Sequence, residues 1–322
     1  MTSNGLPDGG LPPGGDVGGL GAFHRRMHWF FLGPQGIRSG WRLLIFLGIF
    51  MALSAGLSAA LRHIPAIHAW SMAHRLGAGM ITPGGLLFSE GLSVVVLLLS
   101  AAGMTLIEKR SFTDYGLPGA GAFGKRFWQG TVLGFLMVSL LMGLIGALHG
   151  FQISGWALGR GEAVRYGLLY ALGFVLVGVA EEFSLRGYLQ ATLSQGIGFW
   201  PAAVVLAICF GALHLGNPGE AKFGALMAGG FGLVAAFSLR RTGSLWFAIG
   251  MHAAWDWGET YFYSVPDSGL PATGHLMNSS FHGPAWLTGG SVGPEGSVLV
   301  FAVLVLWAAV LHLLFPAKRV AL

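Results

Sequence analysis

Cysteine and charge are what this sequence has least of. Cys209 is the one cysteine in 322 residues, which excludes an intrachain disulfide and leaves the redox compartment unread. Charged residues make up 10% of the chain against 54% hydrophobic, with a mean hydropathy of +0.67; that excludes an ordinary soluble domain. The net charge is +5, but the basic residues form no patch interleaved with aromatics, so nucleic acid is excluded as a partner. No apolar core with a small-residue cleavage site lies near Met1, so the start does not read as a secretory signal. The tight zincin spacing His-Glu-x-x-His is absent, and no clear internal repeat is found.

What the chain has is apolar runs. Residues 1–24 are dominated by Gly and Pro, bury too little side chain to offset ordering entropy, and read as a disordered tail. Spans then follow at about Leu43–Leu61, Ile81–Met104, Trp128–Leu148, Tyr166 through Glu181-Glu182, Pro201–Leu215, Phe223–Leu239, Leu245–Tyr263 and Ser297–Phe315. Each reaches or approaches the ~20 residues that cross a bilayer core, the fifth and seventh marginally. The fold class is therefore all-α: a polytopic membrane helical bundle of about eight transmembrane helices, with lipid as its surroundings. With the N-terminus inside, 13 of the 18 lysines and arginines fall on the inner side, against Arg62, Arg75, Arg160, Arg165 and Lys222 outside. That bias places both termini in the cytoplasm. Residues 25–165 form the N-terminal helices. Ser264–Gly296, without lysine or arginine, reads as an irregular external loop, and 297–322 as the last helix with a cytoplasmic tail.

Polar groups interrupt this apolar background in three places. Glu181-Glu182-Phe-Ser-Leu-Arg186 breaks a run from Tyr166 to Ala180 that has one polar-tipped residue type and no charge; charge in such a segment costs a few kcal/mol and is seldom idle. Glu182 and Arg186 are four apart and can pair, while Glu181 is turned about 100° away, free for chemistry. Phe210-Gly-Ala-Leu-His214 leads to Asn217, three residues on and on the same face as His214. His252 and Asp256, also four apart, share a helix face. Glu181 lies about 16 residues before the turn at Ile197, and His214 about 17 after it, so an antiparallel hairpin sets them at one level. His252 stands about nine residues, or ~14 Å, from the turn near Arg241-Thr242-Gly243. With the fourth helix projecting somewhat into the cytosol, as Arg186 and Gln190 suggest, the three groups come together in the inner half of the membrane. Glu90, His149 and His312 read as isolated; Phe210, Trp255 and Trp257 read as packing. Such a set supports hydrolysis: a glutamate in an apolar site can take a proton from water, and Glu181, His214, His252 and Asp256 could hold a divalent metal, zinc first, from separate helices.

In their order, Glu-Glu-x-x-x-Arg, Phe-x-x-x-His and His-x-x-x-Asp resemble the motifs of the CPBP family of intramembrane proteases. The family includes the type II CAAX prenyl endopeptidases and proteins linked to bacteriocin processing or immunity. The resemblance covers about Tyr166–Tyr263, the family's four-helix catalytic core. It implies that Glu181 activates water with help from His214, that Glu182 joins the site or holds it through Arg186, and that His252 and Asp256 complete the opposite wall. It also implies a protein or peptide substrate, lipidated in the prenyl endopeptidases, cleaved near the cytoplasmic face of a bacterial cytoplasmic membrane. Asp256 stands where the prenyl endopeptidases carry Asn. An ionised Asp accepts but cannot donate, which favours a metal ligand over an oxyanion donor. The competing readings are a proton- or ion-coupled transporter using the same buried acids, and a catalytically silent scaffold or immunity protein.

Overall fold

Within a bilayer only internal hydrogen bonds satisfy the backbone, so apolar runs become helices. The computed structural model describes residues 27, 29–33, 36–74, 79–217 and 222–316. The expected tail at 1–24, Arg25, Arg26, Arg75, Lys318 and Arg319 lie outside the described residues. A short antiparallel pair, β1 (Leu32–Gly33) and β2 (Gly36–Ile37), precedes α1 (Ser39–Arg62). Then come α2 (Pro65–His74), α3 (Pro83–Glu108), α4 (Lys125–Ala147) and the strand β3 (Phe151–Trp156). Helix α5 (Arg160–Glu182) runs through a π-helical turn, Phe183–Leu189, into α6 (Gln190–Ile197). Helices α7 (Phe199–His214), α8 (Lys222–Thr242) and α9 (Leu245–Trp257) follow, α9 being extended by a π turn over Gly258–Tyr263. Strand β4 (Met277–Phe281), α10 (Ala285–Thr288) and α11 (Leu299–Leu314) complete the chain. The fold is an all-α helical membrane bundle.

Local chemistry fixes several helix ends. Thr82 caps α3 by accepting a hydrogen bond from the Gly85 amide at 3.1 Å, with Pro83 in the first turn where no N–H is missed. Among the described residues, five helices are long and apolar enough to span: α1, α3, α4, the continuous Arg160–Ile197 helix, and α8. The expected fifth and eighth spans are shorter, 16 residues each in α7 and α11, and the seventh is 13 residues in α9. The shortness of α9 has a cause. Every residue from Leu245 to Asp256 is buried, so protein rather than lipid surrounds it and a full bilayer length is not required.

Glycines let α9 approach α4 to backbone contact. A Cβ at Gly130 would run into the Phe247 carbonyl, one at Gly134 into that of Met251, and one at Gly250 into that of Phe127. This contact fixes His252, one residue beyond Met251. Gly134→Leu is expected to lower the unfolding midpoint in detergent, since overpacking costs about 1–3 kcal/mol or more. Gly143→Leu, where a Cβ meets nothing within 4 Å, should leave it unchanged. Equal midpoints for the two variants would contradict the packing described.

The two ends of the bundle differ. At one end Arg42 donates to Glu108 and to Gln195, both at 2.8 Å, Tyr188 donates to Glu108 at 2.5 Å, and the Leu245 amide reaches the Gly116 carbonyl at 3.0 Å. This end carries Arg38, Lys109, Arg110, Lys125, Arg126, Arg240 and Arg241. Arg42 is only 4% exposed, so it is a structural clamp as well as an orientation signal. Arg186, counted among the inner charges, instead lies inside the bundle. At the opposite end β3 pairs antiparallel with β4, Phe151 against Phe281, with a bulge between Ile153 and Gly155. The Ile81 amide donates to the Pro271 carbonyl at 2.7 Å. Ser264–Gly296 is thus not an irregular loop: it holds a strand, a helical turn and a 3₁₀ turn at Pro294–Gly296. Its regularity comes from partners distant in sequence. In a Cys209→Ser background, a cysteine at Ala120 is expected to label from the cytoplasm and one at Ser280 from outside. The reverse pattern would overturn the charge bias, and same-side labelling the bundle's two ends.

Candidate active site

The site is assembled from α5, α7 and α9. Just before the π turn, α5 carries Glu181 and Glu182, which face different ways. Glu182 is fully buried, and its Oε1 accepts from Arg186 Nη1 at 3.0 Å and from His252 Nδ1 at 2.8 Å. The Arg186 guanidinium also lies 4.4 Å over the ring of Phe210 on α7. At Gly232, on α8, a Cβ would crowd Arg186 Nη2. Glu182 therefore ties three helices together and has its charge answered. Glu181 has no such pair of donors: its side chain is 35% exposed against 0% for Glu182, although Oε2 of each lies buried without a hydrogen-bond partner.

The histidines have defined tautomers. His214 Nδ1 lies 2.9 Å from the Phe210 carbonyl, which can only accept, so Nδ1 bears the hydrogen and Nε2 is left with its lone pair. His252 spends Nδ1 on Glu182; its Nε2 is 3.7 Å from Glu181 Oε2 and 3.5 Å from Asp256 Oδ2. This is the carboxylate–imidazole arrangement that fixes a ring's direction and leaves the second nitrogen available.

Glu181, His214, His252 and Asp256 line one cavity of about 130 Å³, roomy and polar enough for several waters. Glu182 and Arg186 stand behind its wall. Phe210 and Trp255, read as packing, do pack but also face the cavity; Trp257 donates to the Gly167 carbonyl at 3.0 Å, as packing. Glu90, read as isolated, lines the cavity too. A single acid on α3 carries no sequence sign of its direction, which is set by how α3 lies against α5. Asn217, Asp267, Ser268 and Glu295 complete the lining, with Asn217 Nδ2 donating to the Ser268 carbonyl at 3.0 Å. Asp267, Ser268 and Glu295 were not legible, because their segment has no helical or strand period. Burial, and then the Glu295 carboxylate beside it, push the Asp267 carboxyl up to about 8.

Among the described residues, the group of three or more potential ligands whose donor atoms lie within 4.8 Å of one another is Glu259, Asp267 and Glu295. The expected quartet of Glu181, His214, His252 and Asp256 does not close to that size, because the Glu182 bond fixes the His252 ring and His214 comes from a separate helix end. Ile81, Asn217, Asp267 and Glu295 reach the cavity from the end opposite the arginine-rich turns, and Glu181 and His214, expected at one level, both line it.

The comparisons with known proteins agree with the core. Residues 163–258 match the family model described as type II CAAX prenyl endopeptidase Rce1-like. "Uncharacterized protein YyaK" of Bacillus subtilis (strain 168) is 29% identical over 231 residues, covering 67% of this chain and 74% of that protein. No solved structure matches. Residues 163–258, which carry Glu181, Glu182, His214, His252 and Asp256, are thus similar to the Rce1-like family, the same family as the CPBP proteases.

Proposed function

We propose that the chain is an intramembrane endopeptidase in which Glu181 and His214 activate water inside the cavity. The observation that carries this is the division between the two adjacent acids. Glu182 is consumed by Arg186 and His252, while Glu181 faces the same cavity as the free Nε2 of His214. Glu181 takes a proton from water, with His214 Nε2 accepting its second hydrogen bond, and the resulting hydroxide attacks the peptide carbonyl. The oxyanion then meets His252 Nε2, which donates when it carries a proton; Glu182 holds the ring and Asp256 lies 3.5 Å away. Glu181 returns its proton to the leaving amine as the C–N bond breaks. Asp256 acts here through charge on His252, so its substitution for Asn does not remove the donor. The substrate on this reading is a protein or peptide segment entering from lipid.

The proposed route uses this chain's own residues and runs no step through a metal. Cleavage is expected to withstand 1,10-phenanthroline in the presence of millimolar calcium. Loss of activity that zinc restores would contradict the metal-free route. The experiment that finds the substrate compares peptide fragments from membranes holding the wild type and Glu181→Gln. Fragments specific to the wild type support the protease; identical fragments, with proton or ion flux that depends on Glu182, would favour a transporter, and identical fragments without flux a scaffold.

A further inference from the structure

Three carboxylates unused by the proposed reaction meet where the end of α9 abuts the 264–296 segment. They are Glu259 on the π turn, Asp267, and Glu295 on the 3₁₀ turn, and one oxygen of each lies within 4.8 Å of the others. Glu259 is fully buried, and both its oxygens lack a hydrogen-bond partner. The other two are partly satisfied. Thr260 Oγ1 donates to Asp267 at 3.0 Å, while Ser268 Oγ and Trp255 Nε1 donate to Glu295 at 2.6 and 3.3 Å. The Trp255 hydrogen is thus committed to Glu295. Among the described residues no ion pair joins any of the three to Lys, Arg or His, and Ser264–Gly296 holds no lysine or arginine. Carboxylates packed this closely cannot all be ionised without a cation.

We propose that Glu259, Asp267 and Glu295 bind a hard divalent cation of the calcium type, which pins the 264–296 segment to α9. The donors are all oxygen, with neither imidazole nor thiolate to favour zinc. Three atoms at most 4.8 Å apart enclose a point about 2.8 Å or less from each, a small side-chain movement from the ~2.3–2.6 Å of calcium–oxygen bonds. Glu259 lies three residues beyond Asp256, and Ser268, beside Asp267, is held to Asn217. The ion would therefore brace one wall of the cavity without lying among Glu181, His214 and His252.

Terbium, which occupies calcium sites and is excited by nearby tryptophan, is the probe, with the full chain in neutral detergent and no substrate present. Saturable sensitised emission at one ion per chain is expected, displaced by calcium. Calcium over EGTA should raise the unfolding midpoint by about 5 °C. Glu259→Gln and Glu295→Gln should each weaken binding at least tenfold and abolish the shift; Glu295 is half-buried, so its variant serves where Glu259→Gln does not fold. Emission that never saturates, or that is unchanged in a folded variant, would overturn the proposal, as would an unchanged midpoint. The three carboxylates would then be sharing protons. Neither result depends on hydrolysis.

Discussion

Glu181→Gln is expected to cut peptide hydrolysis by about 10²–10⁴-fold, the contribution of a positioned acid–base group, and to leave the protein folded. Gln keeps the size of Glu but takes no proton from water. The fold should tolerate it because Glu181 accepts no hydrogen bond through Oε2, is 35% exposed, and faces a cavity rather than packed side chains. Among the described residues its ion-pair contact is the 3.7 Å to His252 Nε2. Activity and unfolding midpoint should therefore separate: the first collapses and the second stays. A variant that loses both would make Glu181 a structural residue.

Arg186→Met should do the opposite and act first on stability. Removing the guanidinium leaves Glu182, fully buried, with only His252 to answer its charge. Breaking a buried pair from one side costs about 3–5 kcal/mol, because the remaining charge is uncompensated. The Phe210 ring loses the cation 4.4 Å above it as well. Activity should fall too, through the loosened His252 ring. The double variant Glu182→Gln/Arg186→Met removes both charges and is expected to recover part of the lost stability, a coupling that denaturant unfolding can measure. If the double variant is no more stable than Arg186→Met, the pair is not the clamp described here.

Much of the site was legible from spacing alone. Glu182 and Arg186 pair at i, i+4, and His252 with Asp256 likewise. Counting residues from the α6–α7 turn brought Glu181 and His214 to one level, and both line the cavity. The split between one held acid and one free acid follows from the helical turn between neighbours. What spacing could not supply was direction and partners across long sequence separations. Glu90 needed the packing of α3 on α5. The strand β4 needed β3, more than a hundred residues earlier, and a period-less segment gave no sign that Asp267 and Glu295 reach the cavity. The π turn after Glu182 left no pattern, and the short α9 read as a marginal span because burial in protein looks like burial in lipid.

The most direct test of the central claim is cleavage in ¹⁸O-labelled water by the purified chain in lipid, on a transmembrane peptide found from the fragment comparison. The wild type should release fragments with one ¹⁸O in each new C-terminal carboxylate, and Glu181→Gln, folded to the same midpoint, should release none. Labelled fragments from Glu181→Gln at the wild-type rate would contradict the account.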